Sequence, residues 1–225
     1  SVMEALKNLD LRINRFLFLE HSSCFIIGED AAREGIREII NPFWRNMVFN
    51  RRGHIVIAEG PAKKALEVRP RVEQLLTEYL VRLFSQERLT GKYYNSELGK
   101  FMSHINSEIG KGNALASRLV PDNDEVNIGG AAVIKDFKLI GWLTPVEIEG
   151  VNLCLGTMKG GNLIVMNKEF QGVATLKINS AKRKIYLTED GDIPKFLIEI
   201  FIEGEIESSS IDMVITKEEA KMLCG

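Results

Sequence analysis

The hydrophobic period of this chain switches once, at VPDNDE (120–125), and no other feature constrains the fold as much. Before the switch, Val72, Leu75, Leu76, Tyr79, Leu80, Leu83 and Phe84 recur at helical spacing, the clearest periodicity in the sequence. Leu98, Phe101, Met102, Ile105 and Ile109 give a second helix closed by GKGN, with ERLTGKYYN as a polar connector between the two. Residues from Pro61 to about Leu119 therefore read as helix throughout. After the switch come VNIGGAAVI (126–134), a turn at Lys135-Asp136, FKLIGWL, LIVM (163–166), GVATLKIN (172–179), KRKIYL (182–187) and KFLIEIFIEGEI (195–206). Ala174, Leu176 and Ile178 alternate with Val173, Thr175 and Lys177, as in a sheet with one wetter face. EDGDIP reads as a turn between antiparallel strands.

The N-terminal stretch carries a different pattern. Leu6, Leu9, Ile13, Phe16 and Leu17 predict an amphipathic helix. SCFIIG (23–28) reads as a buried strand leading into EDAAREGIREII, whose apolar face is Ala32, Gly35, Ile36, Ile39 and Ile40. Glu29 and Asp30 favour the first turn of that helix through its dipole, and Pro42 is expected to stop it. HIVIAEG (54–60) reads as a second buried strand, parallel to the first. The expectation is a mixed α/β or α+β fold in two parts. Residues 1–119 form an α/β unit with a helical segment, and residues 120–225 a β-rich, largely antiparallel domain with one short helix.

Charge and cysteine content exclude several function classes. The 29 basic and 31 acidic residues leave a net charge of −2, which gives no concentrated basic face for nucleic acid. No apolar run approaches the ~18–20 residues needed to span a bilayer. Cys24 and Cys154 lie in apolar runs as small buried hydrophobes, and with Cys224 the odd count and missing CxxC argue against a disulfide framework, a zinc site or a redox pair. The first residues do not read as a signal peptide, and Ser1 in first position leads us to expect a processed chain or a piece cut from a larger protein. TKEEAKMLCG opens a helix with Thr216 and Glu219 as a capping box and then stops, which also reads as truncation.

Candidate chemistry is sparse. His21, Ser22 and Ser23 precede a strand without a GxSxG elbow, and a polar strand entry explains them better than a nucleophile. His54 and His104 have no spacing partner for a metal set. In GTMKGG (156–161), Lys159 precedes the glycines and no Ser or Thr follows, so positive-φ turns explain the run better than a phosphate loop. Gly129-Gly130 suggests a bulge or close packing. Asp122, Asp124 and Glu125, and again Glu189, Asp190 and Asp192, read as solvated turns. Lys182-Arg183-Lys184 could pair with the acidic strand around Glu199 and Glu203 or touch anionic headgroups. No cofactor and no metal is expected.

GWLTPVEIEG (141–150) contains the most legible local structure. Thr144 can cap a helix, Pro145 suits its first position, Glu147 completes a capping box, and Gly150 is expected to end it. In KLIGWLTPVEIEGVNLCLGTMKGGNLIV, the residues Gly141, Trp142, Leu143, Glu147, Gly150, Gly156, Lys159, Gly160 and Gly161 fall in an order that resembles the central signature of the C subunits of spore germinant receptors, the GerAC-like lipoproteins. VNIGGAAVIKDFKLIG, FLEHSSCFIIGEDAAREGIREII and HIVIAEGPAKKAL extend the resemblance over nearly the whole chain. The family begins with a secretion signal and lipobox cysteine and continues into a further C-terminal domain; the chain is expected to cover the N-terminal and middle parts.

The resemblance implies a non-enzymatic lipoprotein, lipid-anchored at the outer face of the inner spore membrane. There it would assemble or signal with the integral membrane A and B subunits of a nutrient receptor. It implies a structural role for Gly141, Trp142, Leu143, Glu147, Gly150, Gly160 and Gly161. A second reading is a nutrient-binding module with its ligand in a cleft between the two parts, and a third a hydrolase using His21, Ser22 and the acidic turns. Trp142 is expected to be mostly buried where FKLIGW meets the helix at Pro145. Gly141 would make room for its ring, and Leu143 would pack on the opposite side of the strand.

Overall fold

Ile55, Val56, Ile57 and Ala58 are all fully buried, which identifies the centre of the architecture: a strand covered on both faces reads as a continuous apolar run. The computed structural model describes residues 2–12, 19–45, 50–70, 73, 75–86, 91–122, 125–167, 172–190 and 193–209. Within them the chain divides into two compact units, Ser1–Ser85 with Lys92–Ile148, and Gln86–Gly91 with Glu149–Gly225.

The first unit is built on a five-stranded sheet in the sequential order β1-β2-β3-β4-β5. Its strands are β1 (Cys24–Gly28), β2 (His54–Ala58), β3 (Ala114–Asp122), β4 (Glu125–Lys135) and β5 (Lys138–Leu143). β1 and β2 are parallel, as the helix–strand alternation predicts; β3, which the sequence pattern does not foretell, is parallel to β2, and β4 and β5 continue antiparallel. Its helices are α1 (Val2–Asp10), α2 (Glu29–Glu34), α3 (Arg37–Arg45), α4 (Ala62–Glu67), α5 (Leu76–Ser85) and α6 (Leu98–Ile105). Alternation along β2 sends Ile55 and Ile57 into one core with Ile36, Ile40, Phe101 and Met102, from α3, α6 and the residue before α3. Val56 and Ala58 face the other core, with Ala65 of α4 and Leu76, Leu80 and Phe84 of α5.

Several local expectations need correction. β1 is a strand but sits at the sheet edge, and Ile27 is its one buried residue. The helix after it breaks at Gly35 (φ +147), where the Ile36 N–H leaves the helix to bond the Phe137 carbonyl at 2.8 Å. Pro42 then lies inside α3 instead of ending it, forfeiting one helical hydrogen bond. The stretch to Leu119 is not helical throughout. β3 begins at Ala114, and its small residues Ala114, Ala116 and Ser117 lack the β-branched signal of a strand while pairing with β4, Ser117 with β2 as well. Ile109 lies beyond α6 and is exposed. The second half of the first predicted helix, from Ile13, and the capping box at Thr216 lie outside the described residues.

The helix at Pro145 is α7 (Pro145–Leu155); the division between units falls within it. It runs through the exposed Gly150 and ends at Gly156, φ +65. A glycine inside a helix costs only about 1 kcal/mol, whereas a left-handed residue is what terminates one. The second unit continues with an antiparallel sheet, β6 (Gly161–Asn167), β7 (Gly172–Asp190) and β8 (Ile193–Ser209). GVATLKIN and KRKIYL are one long strand. Ser180 and Ala181 between them pair with Glu203 and Ile202, and the register shift falls at Asn179, between Ile178 and Ser180.

Candidate functional site

The C-terminal ends of β1, β2, β3 and β5 point to the same end of the sheet, because β1, β2 and β3 are parallel, and β5 is antiparallel to β4 and β4 to β3. Four charged side chains and Trp142 meet there. Glu29, the first residue of α2, accepts the Gly60 N–H at 3.0 Å, while its own N–H donates to the Gly60 carbonyl at 2.9 Å. This pair locks the β1–α2 turn to the β2–α4 turn. Arg33, one helical turn on, donates through Nε and Nη2 to Glu29 at 2.9 and 2.7 Å. The Gly60 N–H first, then Arg33, with a smaller share from the Trp142 side-chain hydrogen bond, hold the Glu29 carboxyl below the usual carboxylate range. Arg118 on β3 donates through Nε and Nη2 to Glu59 at 2.7 and 2.5 Å and through Nη1 to the Leu143 carbonyl at 3.3 Å. Its guanidinium lies 5.5 Å from the Trp142 ring centroid.

Two bulges place these groups. Gly129 and Gly130 on β4 oppose Arg118 alone, since Ser117 pairs with Ala131 and Leu119 with Ile128. Gly130 adopts φ +77, and a Cβ there would collide with the Leu143 carbonyl. The Gly129-Gly130 expectation of a bulge and close packing is met. On β5, Ile134 pairs with Leu139 and Val133 with Gly141, leaving Ile140 as an extra, exposed residue. That insertion puts Leu139 and Trp142 on one face, both against the core that contains Ala32 and Ile36. Trp142 is mostly buried and packs against that core, as expected, with part of its ring left accessible. Gly141 does not make room for it, since a Cβ there would meet open space.

The capping box forms as read. The Glu147 carboxylate accepts the Thr144 N–H at 2.7 Å and its hydroxyl at 2.8 Å, and the Glu147 N–H donates to Thr144 Oγ1 at 3.3 Å. Those two bonds lower the Glu147 pKa. In GTMKGG, Gly156 and Gly161 adopt positive φ (+65 and +130), and Gly160 and Gly161 are buried. Asn152 organises this turn. Its Nδ2 donates to the Gly91 carbonyl at 2.9 Å, and its Oδ1 accepts the Thr157 hydroxyl at 3.1 Å. A buried Asn within VNLCL is the signal that could have singled it out.

A second feature is a wedge where β2 and β3 diverge. Residues 92–97 run between them, with the Ile55 N–H bonding the Ser96 carbonyl at 2.8 Å and Ser117 Oγ donating to the Tyr94 carbonyl at 2.7 Å. Beside the wedge is a cleft of about 200 Å³ lined by Asn95, Ser96, Glu97, Lys100, Phe101 and His104, among others. Glu97 and Lys100 pair at 2.8 Å on its wall.

The remaining candidates do not converge. Ser23 Oγ donates to the backbone carbonyl of His21 at 3.4 Å, not to its ring. His54 stacks on Phe84 with centroids 4.2 Å apart, and its Nδ1 lies 2.8 Å from Asn95 Oδ1. No group of His, Cys, Asp or Glu among the described residues could hold a metal ion. Lys184 is the register partner of Glu199, and Asp122 of Glu125 at the end of the β3–β4 hairpin. Glu189 and Asp190 fall at the end of β7, and Asp124 and Asp192 lie outside the described residues. No helix among the described residues is long and apolar enough to cross a membrane.

Comparison with known proteins assigns the architecture. Residues 1–120 match the family described as "Spore germination protein N-terminal domain", and residues 129–223 match "Spore germination B3/GerAC like, C-terminal". Spore germination protein YndF of Bacillus subtilis (strain 168) is 27% identical over 210 residues, 92% of this chain and 51% of the relative. Spore germination protein A3 of the same organism is 24% identical over 84% of this chain and 50% of its own length. The chain thus spans about half the length of the curated relatives it matches. The crystal structure of the GerBC protein superimposes with a TM-score of 0.67 at 17% identity, covering 96% of this chain and 61% of that one, which establishes the shared mixed fold. With family matches over both parts of the sequence, the chain belongs to the GerAC-like spore germination proteins, the family of germinant-receptor C subunits.

Proposed function

We propose that the chain acts in spore germination as a non-enzymatic scaffold, the lipoprotein C subunit of a nutrient receptor. It assembles or signals with the integral membrane A and B subunits at the outer face of the inner spore membrane, held there by a lipid anchor. The observation that carries this reading is the pair of family matches over residues 1–120 and 129–223. The site chemistry supports it: the charged groups around Trp142 spend their hydrogen bonds on one another and on backbone, which suits a rigid corner better than a reaction centre. The signature residues Gly141, Trp142, Leu143, Glu147, Gly150, Gly160 and Gly161 are read as structural. The test is a deletion of this region in a spore-former without a redundant receptor. Loss of nutrient-triggered germination and of co-purification with two membrane subunits is expected; unchanged germination and assembly would refute the proposal.

The cleft beside the wedge, which lies within the first unit and not between the two parts as expected, favours a second reading, a nutrient-binding module. Its volume of about 200 Å³ is below the ~300–1,000 Å³ of pockets that take drug-sized ligands, so only a very small molecule would fit. Calorimetry with amino acids, sugars and nucleosides decides it, and absence of heat and of any thermal shift across the panel removes this reading.

A further inference from the structure

The wedge separates two strands whose register already fits. β2 and β3 are parallel partners at Val56–Ser117, Ile57–Arg118 and Ala58–Leu119, and the ladder stops there, although β2 starts at His54 and β3 at Ala114. Carried two residues further, the same register would pair Ile55 with Ala116 and His54 with Leu115. Ile55 and Ala116 already belong to one core, as partners on neighbouring strands must. The wedge stands between them instead. The Ile55 N–H donates to the Ser96 carbonyl at 2.8 Å, and Glu97 forms an antiparallel bridge with His54.

The segment passes through the sheet: Tyr93 lies in the core built with α4 and α5, and Leu98 in the core built with α3 and α6. Its far end is tied to α5, where the Tyr93 hydroxyl donates to the Leu83 carbonyl at 2.8 Å and Asn95 Nδ2 to the Phe84 carbonyl at 3.5 Å. Towards β3 it is held by two buried serines. Ser117 Oγ donates to the Tyr94 carbonyl at 2.7 Å and accepts the Ser96 N–H at 3.2 Å, while Ser96 Oγ donates to the Leu115 carbonyl at 3.3 Å. On this side lies the cleft of about 200 Å³, with Ala114 and Leu115 in one wall and Asn95, Ser96 and Glu97 in another. A neighbouring strand would give β3 an evenly spaced ladder of backbone bonds; hydroxyl bridges beside an open cleft are a looser substitute.

We propose that residues 94–97 are a latch with two positions. In the position seen, the latch sits between β2 and β3, pinned to β3 by Ser96 and Ser117. In the other it swings out of the sheet, and β2 and β3 zip by two further pairs, Ile55–Ala116 and His54–Leu115. Ladder bonds then replace the bonds that the latch gave to the two strands, which makes this a bistable element and not a gradual loosening. Asn95, Ser96 and Glu97 leave the cleft wall with the swing, so the cleft exists only in the latched position, and a molecule bound in it holds the latch in. The device is independent of any receptor role.

Hydrogen exchange of the 1–225 chain, read residue by residue by NMR, tests whether the latch opens while the sheet stays closed. The Ser96 amide is expected to be at least about tenfold less protected than the Ile57 amide. Equal protection of the two means that Ser96 opens only when the sheet unfolds, and overturns the proposal. A cross-link tests the second position. Ile55→Cys and Ala116→Cys are combined in a chain carrying Cys24→Ala, Cys154→Ala and Cys224→Ala, oxidised, and analysed as the monomer by mass spectrometry. A disulfide needs Cα atoms within about 7 Å, which adjacent strands at ~4.8 Å meet and strands with a chain between them do not. The 55–116 disulfide is expected to form, and at least about threefold faster once Ser117→Ala removes the hydroxyl pin. A folded monomer without the disulfide, or a rate that Ser117→Ala leaves unchanged, overturns the proposal. Far-ultraviolet circular dichroism checks that each variant is folded, and the exchange measurement, which needs no substitution, decides where the double variant fails to fold.

Discussion

Trp142→Ala and Trp142→Phe together test whether the corner at the sheet edge stabilises the first unit. A fully buried aromatic truncated to Ala costs ~3–5 kcal/mol, and the Trp142 ring, which is partly accessible, should lose somewhat less, about 2 kcal/mol. The side-chain hydrogen bond to Glu29, the smallest of the causes that lower that carboxyl, adds no more than about 0.5 kcal/mol. The Arg118 contact at 5.5 Å adds about 0.5 kcal/mol. Trp142→Ala is therefore expected to cost about 3 kcal/mol and Trp142→Phe, which keeps most of the ring, about 1–1.5 kcal/mol. Urea unfolding followed by circular dichroism reads both as lower midpoints at unchanged slope. In a Glu29→Gln background the Phe variant should cost less, by up to ~0.5 kcal/mol. Parental midpoints for both variants would refute the reasoning and make Trp142 a partner-contact residue.

Glu29 also sets an acid limb. Its folded pKa lies below the ordinary 4.5, so the unfolded chain binds the extra proton. The stabilisation is complete above that value and is lost as pH falls through the folded pKa. Melting temperature measured from about pH 6 to pH 3 should fall less steeply in Glu29→Gln than in the parent. Gly130→Ala should destabilise by more than ~1 kcal/mol, because it forces a Cβ at φ +77 against the Leu143 carbonyl, whereas Gly141→Ala should stay within about 0.5 kcal/mol; denaturant midpoints compare the two. Burial pushes the Cys24 thiol up to about 11, so iodoacetamide near pH 8 should modify the exposed Cys154 well before Cys24, as read by mass spectrometry.

What the sequence could disclose follows from where local signals coincide with global ones. β2 was legible because a strand covered on both faces is apolar without interruption, and the Thr144–Glu147 cap because its bonds span three residues. β3 was hidden, since Ala114, Ala116 and Ser117 owe their strand conformation to flanking strands. The corner around Trp142 was legible only in part. Period two puts Leu139 and Trp142 on opposite faces, and only the pairing with β4 shows Ile140 as the inserted residue that unites them. Glu29, Glu59 and Arg118 carried no motif, because their relation is made by three parallel strand ends that lie far apart in sequence.

The same strand pairing carries a kinetic consequence. β3, β4 and β5 follow one another through tight hairpins, so their contacts close short loops at little entropic cost. β1 must find His54–Ala58, and β2 must find Ser117–Leu119 after α4, α5 and α6 have intervened. Chains with such distant parallel partners fold slowly and expose unpaired edges meanwhile. The meander should therefore form in the folding transition state, with β1 docking last. Conservative truncations at Ile134 and Leu139 would then slow refolding, while those at Phe25 and Ile27 would mainly speed unfolding. The reverse distribution in stopped-flow measurements would place nucleation in the parallel strands instead.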